Sequence, residues 1–155
     1  MRVVLKTIKN NRDVRTGAHL NKKSLRYFRD EINTKANEGK HILGEFKYFR
    51  FDHEVGSKKV RGEEGYKKAS TIDLSRVCLK INKAKVKKNK LVADIELIGS
   101  KKAEALETLL STTKDTYFGL RAFYSSSLSK KHNIKREFKN LIAFDLIVKG
   151  KKDKK

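Results

Sequence analysis

A chain of 155 residues suits a single domain with one modest core. Its 39 Lys and Arg against 18 Asp and Glu leave a formal charge of +21, with a hydrophobic share of only 37%. So polar a composition would suit disorder, but the apolar residues recur in periodic runs, which excludes a wholly unstructured chain.

In chain order, Val3, Val4, Leu5 and Ile8 open a strand that ends near Asn10-Asn11. A turn-rich stretch over 11–17 follows. Asn21 or Ser24 can cap a helix reaching about Thr34, with Leu25, Phe28 and Ile32 on one face, and Asn37-Glu38-Gly39 ends it. Ile42–Phe46 begins a strand that could extend to Phe51. Residues 52–70 are polar, with Gly56, Gly62 and Gly65, and read as a long exposed loop or a β-excursion. Ile72, Leu74, Val77, Leu79 and Ile81 lead to Val86, then Lys87-Lys88-Asn89-Lys90 turns the chain into Leu91, Ala93, Ile95 and Leu97, a hairpin pattern. Gly99-Ser100 precedes a helix over Lys101–Leu110 that should bury Ala103, Leu106 and Leu109 or Leu110. Tyr117–Tyr124 reads as a strand, Ser125–Lys131 as a flexible serine- and lysine-rich loop, and Phe138–Val148 as the last strand. Residues 1–148 thus form one α+β domain, a mostly antiparallel sheet or small barrel with two flanking helices, followed by the basic tail 149–155.

Several function classes are excluded at this level. Leu141–Val148, the longest apolar run, is too short for a bilayer and carries Asp145, so no membrane partner is expected. The first residues are charged too early for a secretory signal, which points to synthesis in a cytoplasm. The lone Cys78 allows no internal disulfide and sits in an apolar alternation, as a buried thiol would. With it, the scattered His19, His41, His53 and His132 give no metal spacing, and no cofactor is implied. Gly62-Glu63-Glu64-Gly65 lacks the Lys-Ser/Thr of a phosphate loop. Asp94 and Glu96 alternate with apolar residues and read as a solvated strand face.

Basic clusters are the more informative feature. Lys58-Lys59, the series Lys83, Lys85, Lys87, Lys88 and Lys90, and the tail with Lys151 and Lys152 are the candidate binding residues. Lys83, Lys85 and Lys87 alternate along a strand and should form a stripe. Lysine dominance suits point-charge contact with phosphate or carboxylate more than base readout, and no recognition-helix motif is present. A Lys-rich chain without Pro or Trp also suits an AT-rich genome.

The order of motifs resembles one family. Leu43-Gly44-Glu45-Phe46 follows a helix. Next come Ile72–Val77, a strand-turn-strand ending Val92–Leu97, Gly99 with a short helix, Phe118-Gly119-Leu120-Arg121-Ala122, and Phe144–Val148. This series, from about Asn10 to Val148, is similar to the prohead (capsid maturation) protease family of tailed phages, which shares its fold with the herpesvirus assemblins. In that family a Gly-Glu-apolar-x-His run supplies the catalytic histidine, and a Gly-apolar-Ser-Ser-type strand supplies the nucleophile that the imidazole activates. The matching residues are Tyr48 at the histidine position, and Arg121 and Ala122 at the serine positions. The resemblance therefore implies the fold with degenerate catalytic positions, unless His53 and Ser125 or Ser126 stand in.

Three readings result. The first is a virion structural protein of the auxiliary or decoration type, a pseudoenzyme docking in many copies on the major capsid protein, other virion proteins or packaged DNA. The second is an active maturation serine protease using His53 with Ser125 or Ser126. The third is a non-specific nucleic-acid-binding protein.

Overall fold

The computed structural model describes residues 1–8, 20–48, 67, 70–111, 116–128 and 134–148. Its strands are β1 (Arg2–Thr7), β2 (Ile42–Tyr48), β3 (Val77–Lys87), β4 (Lys90–Leu97), β5 (Thr116–Leu128) and β6 (Ile134–Val148). The helices are α1 (Lys22–Asn37) and α2 (Lys102–Ser111).

Helix α1 starts where Asn21 and Ser24 close a capping box: Ser24 N donates to Asn21 Oδ1, and Asn21 N donates to Ser24 Oγ, each at 2.8 Å. Its stripe of Leu25, Phe28 and Ile32 is fully buried and packs chiefly on β3. Phe28 meets Phe138 and Phe144 edge-on, at 4.9 and 5.9 Å between ring centres. The helix ends at Glu38, and Gly39 takes the left-handed φ of 76° that a helix exit favours.

The sheet order is β1-β4-β3-β2-β6-β5, curled into a half-barrel. Every neighbouring pair is antiparallel except β2 with β6, which run parallel with Leu43 beside Ala143 and Phe46 beside Leu146. The expected α+β architecture and mostly antiparallel sheet are what is observed. So is the hairpin of β3 and β4, whose turn places Lys88 at φ 57°. Cys78 is fully buried, as its alternation implied.

Three local expectations are corrected. Leu74 belongs to a turn over 74–76 and is 74% exposed, because β3 begins only at Val77. In α2 the buried residue is Ala105, with Leu109 half-buried, while Ala103 and Leu106 face outward. Leucines at 106, 109 and 110 leave that short helix without a clear apolar stripe from which to choose a face. Ser125–Leu128 is strand rather than flexible loop, since β5 continues past two register shifts with Ser125 beside Glu137 and Leu128 beside Ile134. A two-stranded ribbon of polar residues carries no burial alternation to announce it. The loop read over 52–70 and the tail lie largely or wholly outside the described residues.

Candidate functional site

Strand alternation and register decide which side chains share a face. On β2, Glu45 and Lys47 point the same way. The parallel register carries that face to Asp145 on β6, and the antiparallel register places Gly119 beside Asp145 and Arg121 beside Ala143. Gly119 and Ala143 bring little side chain to this face, which leaves room for a guanidinium.

All four charged residues are buried: Glu45 is 4% exposed, Lys47 6%, Arg121 5% and Asp145 0%. Arg121 Nη2 donates to Glu45 Oε2 at 2.8 Å and to Asp145 Oδ1 at 3.0 Å, and its Nη1 donates to the Thr71 carbonyl at 3.0 Å. Asp145 Oδ1 also accepts from the Glu45 backbone N–H at 3.0 Å. Lys47 Nζ lies 3.3 Å from Asp145 Oδ2, an ion pair with both partners buried. Two cations and two carboxylates sum to zero, the condition under which burial of charge is tolerated. Burial works against the Arg121 charge, but Asp145 and then Glu45 outweigh it, so its pKa is raised above the ordinary arginine value.

The turn after Thr71 reaches this cluster. Asp73 N donates to Glu45 Oε2 at 3.3 Å, while Asp73 Oδ1 accepts from Ser75 N at 3.0 Å and Ser75 Oγ at 2.6 Å. Those bonds hold the Asp73 carboxyl below its usual range. Arg76 then clasps the Phe46 carbonyl through Nε at 3.2 Å and Nη2 at 3.0 Å. Nearby, burial, Asp145 and Glu45 push the Cys78 thiol up to about 12, so it remains protonated and a poor nucleophile at neutral pH.

Tyr48 and Arg121, the residues matched to the catalytic positions, do not face each other. Tyr48 pairs with Val148 and, through it, with Thr116, five residues from Arg121. That is roughly 16 Å along the strands, and alternation puts the two side chains on opposite faces. Tyr48 is 38% exposed, with its ring against Phe46 at 5.4 Å. Ser125 lies four residues beyond Arg121 on β5, and Ser126 the next after it. His53 lies outside the described residues, and His41, just before β2, is the only imidazole among them.

A second feature is the outer face of β3-β4-β1. Register lines up Lys83, Asp94 and Arg2 in one row, Lys85, Val92 and Val4 in the next, and Lys87, Lys90 and Thr7 in the third. The expected stripe is therefore real as geometry: Lys83, Lys85, Lys87 and Lys90 are exposed on one face, with Lys88 exposed at the hairpin turn. Asp94 is the carboxylate in these rows, 3.6 Å from Arg2 Nε. Lys58, Lys59, Lys151 and Lys152 lie outside the described residues.

Sequence reading missed Glu45 and Asp145 as partners of Arg121, and Lys47 as a partner of Asp145. The available signal was that apolar runs far apart in the chain carried isolated charges of opposite sign: Glu45 and Lys47 on β2, Arg121 on β5 and Asp145 on β6. Among the described residues no helix is long and apolar enough to cross a membrane.

No protein-family model and no curated protein sequence matches the chain. Among solved structures the fold is similar to that of the bacteriophage T4 capsid assembly protease gp21, with a TM-score of 0.52 at 13% identity. The match covers 94% of this chain and 76% of that one. The two proteins share an architecture, the one the order of motifs implied.

Proposed function

We propose that this chain is a structural virion protein of a tailed phage, built on the capsid-protease fold and lacking its chemistry. The observation that carries the reading is Arg121 held between Glu45 and Asp145. Proteolysis by a serine enzyme needs a hydroxyl beside a base with a free lone pair. Here the strand position matched to the nucleophile bears a guanidinium, which donates to both of the carboxylates beside it. Likeness to a capsid assembly protease supports a place in capsid assembly, and that place makes the basic outer face a docking surface for an acidic capsid lattice or packaged DNA. Individual surface ion pairs are weak, so docking rests on the rows of lysines together and on many copies in a symmetric lattice.

The test is quantitative mass spectrometry of purified virions with termini mapped, combined with fluorophosphonate labelling of the recombinant chain. Many intact copies per particle and no labelled serine are expected. Absence from mature particles, or label at Ser125 or Ser126, would overturn the reading in favour of a transient maturation protease.

A further inference from the structure

The outer face of β3-β4-β1 changes in charge along its length. At the end away from the hairpin turn the charges cancel: Lys80 lies 3.8 Å from Glu96, and Arg2 lies 3.6 Å from Asp94. The rows nearer the turn hold no carboxylate. They are Lys85, Val92 and Val4, then Lys87, Lys90 and Thr7, with Lys88 at the turn itself. All four of these lysines are exposed. On β3 they repeat at every second residue, about 7 Å apart, and neighbouring strands stand about 4.8 Å apart. Lys87 and Lys90 are direct cross-strand partners, an arrangement of like charges that destabilises a sheet. The free protein therefore carries a cost here that a bound polyanion would relieve.

The rest of the face selects the occupant. It offers little apolar anchor, since Val92 is 9% exposed and Val4, at 44%, is the other apolar side chain in these rows. Protein interfaces are built around such anchors and are depleted in lysine, whereas interfaces with DNA are far more positive. The described residues of these rows include no aromatic ring on which unpaired bases would stack. β1 reaches Thr7 beside Lys90, so the face is three strands wide up to the turn, and the major groove admits only two. A small anion is poorly served, because the hollow of about 70 Å³ between Arg2, Lys83 and Lys85 is also lined by Asp94.

We infer that the turn end of this face binds the phosphate backbone of duplex DNA, through Lys85, Lys87, Lys88 and Lys90, without reading its sequence. The inference rests on the docking role proposed above and chooses between its two partners. A duplex carries one charge per about 1.7 Å of its axis, a density that the scattered carboxylates of a folded protein do not approach. Lysine supplies point charges, which suit phosphate and select no base.

The test is fluorescence anisotropy of the full chain with labelled DNA duplexes of two unrelated sequences. Both should bind alike, with affinity falling steeply as salt rises. The triple variant Lys85→Gln, Lys87→Gln, Lys90→Gln should bind about tenfold more weakly at about 100 mM salt, with the salt slope lowered by about 3, one for each lysine. Its thermal melt should not fall, since these side chains are exposed. Lys22→Gln, Arg26→Gln and Lys40→Gln together remove the same charge from other exposed positions and should change binding by less than about twofold. Equal losses in the two variants would reduce the effect to net charge and overturn the inference. So would a preference for one sequence, tighter binding of the single strand, or displacement of the duplex by polyglutamate at equal charge, the last marking an acidic protein as the partner. Virion mass spectrometry is independent of this assay. DNA binding by this face in a chain absent from particles overturns the virion reading alone, and undiminished binding by the triple variant overturns this inference alone.

Discussion

Asn33 on α1 completes the hydrogen bonding of Ala84 on β3, donating through Nδ2 to its carbonyl at 2.9 Å and accepting from its N–H at 2.8 Å. The reason lies in strand length. β2 begins at Ile42, whose partner is Ile81, so further along β3 has no β2 neighbour. The side-chain amide stands in for the missing strand, and Ala84 is buried at 3% exposure. Asn33→Ala should cost about 2 kcal/mol, because two buried backbone groups lose partners that water cannot replace. Asn33→Asp keeps an acceptor and loses the donor, so it should not rescue. Urea denaturation of both variants checks this.

Removing the Arg121 guanidinium isolates two buried carboxylates. Arg121→Met should cost about 3–5 kcal/mol, the usual consequence of breaking a buried ion pair from one side. Glu45→Gln in the same chain should return part of the loss, with a coupling of about 1–3 kcal/mol in a double-mutant cycle. Additive effects would mean that the residues act independently, against the geometry described.

Cys78 makes stability depend on alkaline pH in a defined direction. Its folded pKa is pushed up to about 12 from a reference of 9.0, so the folded chain keeps a proton that the unfolded chain releases. The contribution is complete below the unfolded value and is lost as pH rises from about 9 towards 12. Relative to Cys78→Ala, the protein should lose about 1.4 kcal/mol between pH 8 and pH 10. Chemical denaturation of both proteins at the two pH values reads the difference. The native thiol should also resist iodoacetamide until the chain unfolds.

Gly44 sets how closely β2 and β6 approach. A Cβ there would lie 2.1 Å from the Phe144 carbonyl oxygen and 2.9 Å from Leu79, and the first of these is backbone that cannot step aside. Gly44→Ala should cost about 3 kcal/mol or more through overpacking. A melting temperature lowered by several degrees checks it, and an unchanged one would mean that the two strands part easily.

Local features of this fold are legible because they are written in adjacent residues. The Asn21 cap with Leu25, Phe28 and Ile32, and the basic turn between two alternating runs, both concern residues within a few turns or one hairpin. The lysine rows were half legible: alternation put Lys83, Lys85 and Lys87 on one side, but Arg2 and Lys90 joined them only through register. The ion cluster was not legible. Glu45 and Asp145 are a hundred residues apart, and nothing in either strand's alternation names its neighbour across the sheet. Asp145, read as an interruption of an apolar run, is the residue that accepts from Glu45 and Arg121 and forms an ion pair with Lys47.

The parallel pairing of β2 with β6 also governs when the chain can become native. β2 lies within the first third of the sequence, yet one of its two neighbours is the last of the described strands. Closing so long a loop costs entropy before any ladder bond repays it, which slows the rate-limiting step. During synthesis α1, β3 and β4 can assemble early, but Glu45 must wait for Arg121 of β5, and Lys47 for Asp145 of β6. The nascent chain therefore carries a half-built charge cluster until β6 has been made, and the sheet can close only then.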